Sequence, residues 1–171
     1  WGVHYPPIGL GYISEILDQE GIDHDVLDLN LELFLAVPDD QKYLWHMNNK
    51  NLWGNEKTFQ MFLEANKKAL DNILDSYDYG DYCAVGFSVV EPRERITNYI
   101  CEYIRNKNQN IVFFAGNAAT GTKKRRQDMP FINYFCIGEG ELLTKELLKT
   151  LLDPNKNIED NLPNPPWFYQ P

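Results

Sequence analysis

The chain has 171 residues, 43% of them hydrophobic and 13% aromatic, enough for one ordinary globular domain with a full core. Its net charge of -9 argues against a nucleic-acid backbone or an anionic membrane as partner. No apolar run approaches the roughly 20 residues of a membrane helix.

No signal peptide is visible. The chain begins at Trp1 and not at Met, so it is expected to be a fragment of a longer protein. The three cysteines, Cys83, Cys101 and Cys136, lie far apart and show no metal-ligand spacing. They read as three buried thiols of a cytoplasmic protein.

Residues 1–7 read as a loop stiffened by Pro6-Pro7. A helix is expected over 8–20, burying a face made of Ile8, Tyr12, Ile13, Ile16 and Leu17 and ended by Gly21. Gly9 and Gly11 fall in its first turn, where glycine costs about 1 kcal/mol against alanine. Either a backbone or ligand comes close there, or the helix sits tightly on a sheet.

Residues 23–29 alternate aspartates with Val26, Leu27 and Leu29, as an edge strand would. Residues 30–35 continue as a short helix or turn. Residues 37–55 form a long irregular connection that includes Trp45 and Trp53, with room for one helical turn. Over 56–77 the helical repeat runs Phe59, Phe62, Leu63, Asn66, Ala69, Leu70, Ile73, Leu74 and Tyr77. Gly80 and Asp81 then turn into the stretch around which the chain is organised.

That stretch is 82–90, Tyr-Cys-Ala-Val-Gly-Phe-Ser-Val-Val. Free of charge and small at Ala84 and Gly86, it reads as a strand buried on both faces, as in a helix-covered parallel sheet. Ser88 is expected at its carboxyl end, on the floor of a crevice, because ligands of open parallel sheets lie outside those ends. Pro92 opens a helix over 92–106. A buried strand over 110–115 ends at Gly116-Asn117. Another over 133–137 ends at Gly138-Glu139-Gly140-Glu141, and a helix to Leu152 follows. Residues 153–171 hold five prolines and no apolar period, so they read as a linker or tail.

Strand alternating with helix specifies an α/β fold: a flavodoxin-like, Rossmann-type doubly wound parallel sheet flanked by helices. The first helix has no strand before it. The chain is therefore expected to begin downstream of that strand. Residues 1–152 form the domain and 153–171 the tail.

Three strand ends carry small or polar residues: Ser88, then Gly116-Asn117, then Gly138-Glu139-Gly140. Such ends let a ligand touch backbone beside helix N-termini. Turns also need Gly and Asn for their own geometry. Neither a GxGxxG nor a P-loop pattern is present. No Ser-His-Asp set or Cys-His pair has credible spacing.

Pro6-Pro7-Ile8-Gly9-Leu10-Gly11-Tyr12-Ile13 with Asp28-Leu29-Asn30 resembles the start of the cobalamin (B12)-binding domain that precedes many radical S-adenosylmethionine enzymes. Val85-Gly86-Phe87-Ser88 and Ile137-Gly138-Glu139-Gly140-Glu141 are similar to later motifs of that family, in the same order. Leu162-Pro163-Asn164-Pro165-Pro166 resembles the segment leading into the radical domain. The resemblance spans essentially the whole chain.

It implies a corrin ring over the carboxyl edge of the sheet and a nucleotide tail in a slot beside the strands. Ser88 and Val89 would border the tail, and Gly116 and Asn117 would let it pass. Gly138, Glu139, Gly140 and Glu141 would border its ribose or phosphate side. Pro7, Gly9 and Leu10 would lie beneath the ring. The module would bind and not catalyse. A downstream radical S-adenosylmethionine domain of the same chain would carry a 4Fe-4S cluster and S-adenosylmethionine, often for methyl transfer.

Two departures matter. Asn117 stands where related domains often have a second glycine. The Asp-x-His-x-x-Gly signature of cobalt-ligating histidine is absent, as is the Cys-x3-Cys-x2-Cys cluster motif. His4 reads as an ordinary loop histidine or, against the spacing, a ligand. His24 and His46 read as surface residues. Lys123-Lys124-Arg125-Arg126 reads as a solvated face or as a contact to a phosphate or propionamide edge. Glu139 and Glu141 suit ribose hydrogen bonding or helix N-terminal charge compensation better than acid/base work. Against the cobalamin module stand a degenerate docking module without cofactor and a flavodoxin-like domain for another nucleotide.

Overall fold

A computed structural model describes residues 3, 6–90, 93–117 and 122–158 and the backbone of 168–169, with the side chain of Arg125 left aside. Pro92, His4 and the 162–166 segment lie outside the described residues. The chain forms two compact units, 1–7 with 26–78 and 8–25 with 79–171.

The first unit is helical. Helix α2 (Leu29–Ala36), which follows α1 (Ile8–Gln19) in chain order, is capped by Asp28, whose side chain accepts from the Leu31 amide. Two 3₁₀ runs, Asp39–Trp45 and Met47–Gly54, fill the connection expected to be irregular. Helix α3 (Glu56–Leu74) begins at the Asn55 cap, which accepts from the Thr58 amide at 3.0 Å. Its apolar repeat buries Phe59, Phe62, Leu70 and Leu74. Trp45 and Trp53 meet edge to face with centroids 5.0 Å apart, and Trp53 meets Phe62 at 4.9 Å. Each indole N–H has an acceptor: Asn30 Oδ1 for Trp45 at 3.0 Å, and the Leu44 carbonyl for Trp53 at 2.9 Å.

The second unit holds α1 (Ile8–Gln19) and the sheet. Strand β1 (Ala84–Ser88), α4 (Glu94–Arg105), β2 (Val112–Gly116), α5 (Lys123–Gln127), β3 (Tyr134–Cys136) and α6 (Gly140–Leu152) follow in order. The sheet order is β1-β2-β3-β4, with β1, β2 and β3 parallel and β4 (Phe168–Tyr169) antiparallel to β3. Phe113 and Ala115 project to one face of β2 and are fully buried, with the Arg105 guanidinium of α4 4.7 Å from the Phe113 ring. Phe114, Tyr134 and Cys136 project to the other, where α6 covers them with Leu143 and Leu147. The architecture is thus an α/β parallel sheet with helices on both faces. Among the described residues no helix is long and apolar enough to cross a membrane.

Several expectations are corrected. No strand forms over 23–29; 22–28 carries no regular structure and Asp28 is a helix cap. Alternation marks the faces of a strand, but a strand also needs a partner ladder, and none pairs with these residues. β1 is not buried on both faces: Gly86 and Ser88 are exposed. It stands at the end of the sheet order, with β2 as its ladder neighbour. Cys83, just before it, is exposed, unlike Cys101 and Cys136. Ile8 and Tyr12 of α1 are 66% and 61% exposed, and Leu17 is the buried residue of that helix. Periodicity finds an apolar stripe but not what covers it. Within the stretch read as a linker or tail, Phe168–Tyr169 pair with β3.

Two glycines differ in kind. A Cβ on Gly86 would lie 2.4 Å from Phe114 Cζ, because the register sets Gly86 opposite Phe114 and its ring lies over the glycine. Nothing lies within 4 Å of a Cβ on Gly9 or Gly11. Tight packing of α1 on the sheet therefore does not explain them.

Candidate functional site

The carboxyl ends of β1 and β2 are level, since Ser88 pairs in register with Gly116. One residue beyond, the Val89 amide donates to the Gly116 carbonyl at 3.1 Å. Val89 turns inward, 3% exposed, so its side chain belongs to the core. Asn117 has φ of +80°, a left-handed conformation that asparagine tolerates better than most residues. In this pose its side-chain amide donates to Ser88 Oγ at 3.0 Å. Both side chains are exposed, so the bond spans the two strand tips at the surface. Gly116 is not sterically forced, since an added Cβ would meet Cys136 Cβ at an ordinary 3.6 Å.

The third tip turns at Gly138, φ +114°. Glu139 stands at the N-cap of α6 without a side-chain cap bond, and Gly140 and Glu141 form the first turn. Glu141 there complements the helix dipole. Glu139 and Glu141 line an open groove of about 530 Å³ with Ile16, Gln19, Glu20, Leu142 and Lys145. Glu20, just past α1, accepts from Lys145 Nζ at 3.3 Å and from Lys149 Nζ. The two ammonium groups, Lys149 foremost, hold its carboxyl below the usual range.

The structure thus joins Ser88 to Asn117 through a bond and gathers Glu139 and Glu141 around a groove. Gly9 and Leu10 open α1, while Pro7 belongs to the other compact unit. Lys123 and Lys124 are exposed on α5, and Arg126 is half buried.

His46 is exposed as expected, but His24 is half buried. Its Nδ1 donates to the Ile22 carbonyl at 2.9 Å, leaving Nε2 to accept the Ser14 hydroxyl at 2.7 Å. Ser14 and His24 are ten residues apart, and no spacing rule links them. Glu20 and Lys145 were equally invisible as groove residues, because helix-to-helix adjacency is a tertiary fact.

Among the described residues no group of three or more His, Cys, Asp or Glu is placed to hold a metal. Burial pushes the Cys101 and Cys136 thiols up to about 12. Among the described residues the strand tips offer exposed hydrogen-bonding groups in Ser88, Asn117 and Glu139. Comparison with protein-family models, with curated proteins and with solved structures returned no match for this chain.

Proposed function

We propose that this chain is a corrinoid-binding module of the type that precedes a radical S-adenosylmethionine domain. The observation that carries the reading is the row of small and polar residues at three neighbouring parallel strand ends: Ser88, Gly116-Asn117 and Gly138-Glu139. Ligands of open parallel sheets lie over such ends. Three parallel strands with helices on both faces are compatible with the finer flavodoxin-like, doubly wound reading.

The donor set suits the amide-bearing rim of a corrin: Ser88 can donate or accept, Asn117 offers an amide, and Glu139 and Glu141 accept. Gly9 and Gly11, with open space around them, suit the close approach of a flat ring to the start of α1. Leu10, in the same first turn of α1, borders that approach in this reading. Cobalt would then stand without a protein histidine beneath it. When bound, the corrinoid supplies an organometallic group, and the module's own residues only hold and orient it. The 4Fe-4S cluster and S-adenosylmethionine belong to the radical domain of the same chain, in a cytoplasmic protein.

Incubation of the purified chain with hydroxocobalamin or aquahydroxocobinamide, followed by gel filtration, tests the proposal. Corrin absorbance that travels with the protein supports it. Protein that stays colourless with both defeats it and leaves the second reading, a docking module without cofactor. That reading is favoured by the Ser88–Asn117 bond, which fills the crevice mouth with the protein's own side chains.

A further inference from the structure

Strand β1 is an interior strand in composition and an edge strand in position. Its residues, Ala-Val-Gly-Phe-Ser, include no charge and no proline, the devices by which natural edges avoid further pairing. At the other end of the sheet β4 has two residues, too few to be a good template. β1 has five, with β2 as its ladder neighbour on one side. The Val112 amide donates to the Cys83 carbonyl at 3.0 Å, and the Val89 amide donates to the Gly116 carbonyl at 3.1 Å. Backbone groups alternate sides along a strand, so those of Cys83, Val85, Phe87 and Val89 face β2. Those of Ala84, Gly86 and Ser88 face outward, and among the described residues no strand pairs with them.

Helix α1 indicates what covers this edge. A Cβ on Gly140, at the start of α6, would lie 3.8 Å from Ile13 Cδ1, and Glu20 bonds Lys145 and Lys149 farther along α6. α1 therefore runs beside α6 in the same direction. α6 leaves the carboxyl end of β3 and returns along the sheet face that holds Phe114 and Cys136. α1 takes the same return path, which is that of a helix fed by a parallel strand. None of β1, β2 and β3 feeds it, because all three follow it in the chain.

We infer that the outer edge of β1 is the docking site of one further strand, a segment of this chain upstream of Trp1 that runs parallel to β1 and leads into α1. Its backbone pairs with Ala84, Gly86 and Ser88, and its carboxyl end stands beside Ser88. The inference rests on backbone pairing and helix direction, and it holds or fails independently of corrinoid binding.

The test is amide hydrogen exchange read residue by residue by NMR, in the natural chain that includes the residues upstream of Trp1 and in the chain that begins at Trp1. In the longer chain the Ala84, Gly86 and Ser88 amides should be protected as well as those of Val85 and Phe87. In the shorter chain they should exchange more than about tenfold faster than Val85 and Phe87, the measure of one lost hydrogen bond. Proline placed in turn at each of roughly ten positions before Trp1 in the longer chain should release the Gly86 amide by a similar factor where the position faces β1, an arm that does not need the shorter chain to fold. Fast exchange at Ala84, Gly86 and Ser88 in the longer chain overturns the inference. So does protection that persists without the upstream residues or rises with protein concentration, which assigns the edge to a second copy.

Discussion

The aromatic core of the first unit and the strand tips of the second treat polar groups in opposite ways. Around Trp45, Trp53 and Phe62 each indole N–H ends on an acceptor inside the unit, and the rings close on one another. At the tips, Ser88 and Asn117 meet at the surface, and Glu139 caps α6 without a side-chain bond of that kind. The first arrangement spends its hydrogen bonds on the fold. The second leaves its donors and acceptors at the surface, exposed to solvent. That contrast directs attention to the sheet edge and away from the aromatic residues, although aromatic residues attract the eye in a sequence.

Inside the second unit the difference between closed interior and open surface can be pressed hardest through its three thiols. Cys101 and Cys136 are buried and pushed up to about 12, so at pH 8 only roughly 10⁻⁴ of either is thiolate. Cys83 is exposed. Native iodoacetamide treatment followed by mass spectrometry should add one label, at Cys83; two or three labels on folded protein would mean the interior is open. Next in size, Trp53→Ala should cost about 3–5 kcal/mol, read by urea unfolding, because the ring and its bond to Leu44 are lost together. A cost under 1 kcal/mol would show that the aromatic cluster is not a closed core.

At the sheet, Gly86→Val should cost about 1–3 kcal/mol, since its Cβ would sit 2.4 Å from Phe114 Cζ. A neutral effect would place the Phe114 ring elsewhere. Asn55→Ala removes the α3 cap and should cost about 1 kcal/mol, with a loss of helical signal on warming. The smallest effect belongs to Glu20. Lys149 and Lys145 lower its carboxyl from the ordinary 4.5, so the folded state binds the proton less readily than the unfolded one. Its contribution is therefore present above 4.5 and lost as pH falls below that value. The stability gap between wild type and Glu20→Gln, followed by thermal unfolding, should close on acidification; a gap that widens would reverse the sign.

Much of the fold is legible in the residues. The repeat of Phe59, Phe62, Asn66, Leu70 and Leu74 marks α3, ending three residues before the expected 77. The apolar runs at β1, β2 and β3 and the glycines after them mark a parallel sheet and its turns. The tips are legible because small or polar residues close each apolar run, as the turns at Asn117 and Gly138 require with their positive φ. The expected strand over 23–29 fails because a strand is a property of two segments, and alternation reports on one. The burial of Ile8, Tyr12 and Cys83 fails for a related reason: hydrophobicity states a preference, and the neighbour that satisfies it lies elsewhere in the chain.

Local patterning alone located α1, α3 and α6 and the three apolar runs that become parallel strands, and it marked the small and polar residues at their carboxyl ends. These follow from periods of 3.6 and 2 and from the conformational range of Gly, Asn and Pro, which act over a few residues. Only the tertiary structure decided that Asn117 bonds Ser88, that Phe114 roofs Gly86, that Glu20 is held between Lys145 and Lys149, and that Ser14 pairs with His24. Each of these joins residues ten or more positions apart, and only the register of strands and the packing of helices brings such residues within bonding distance.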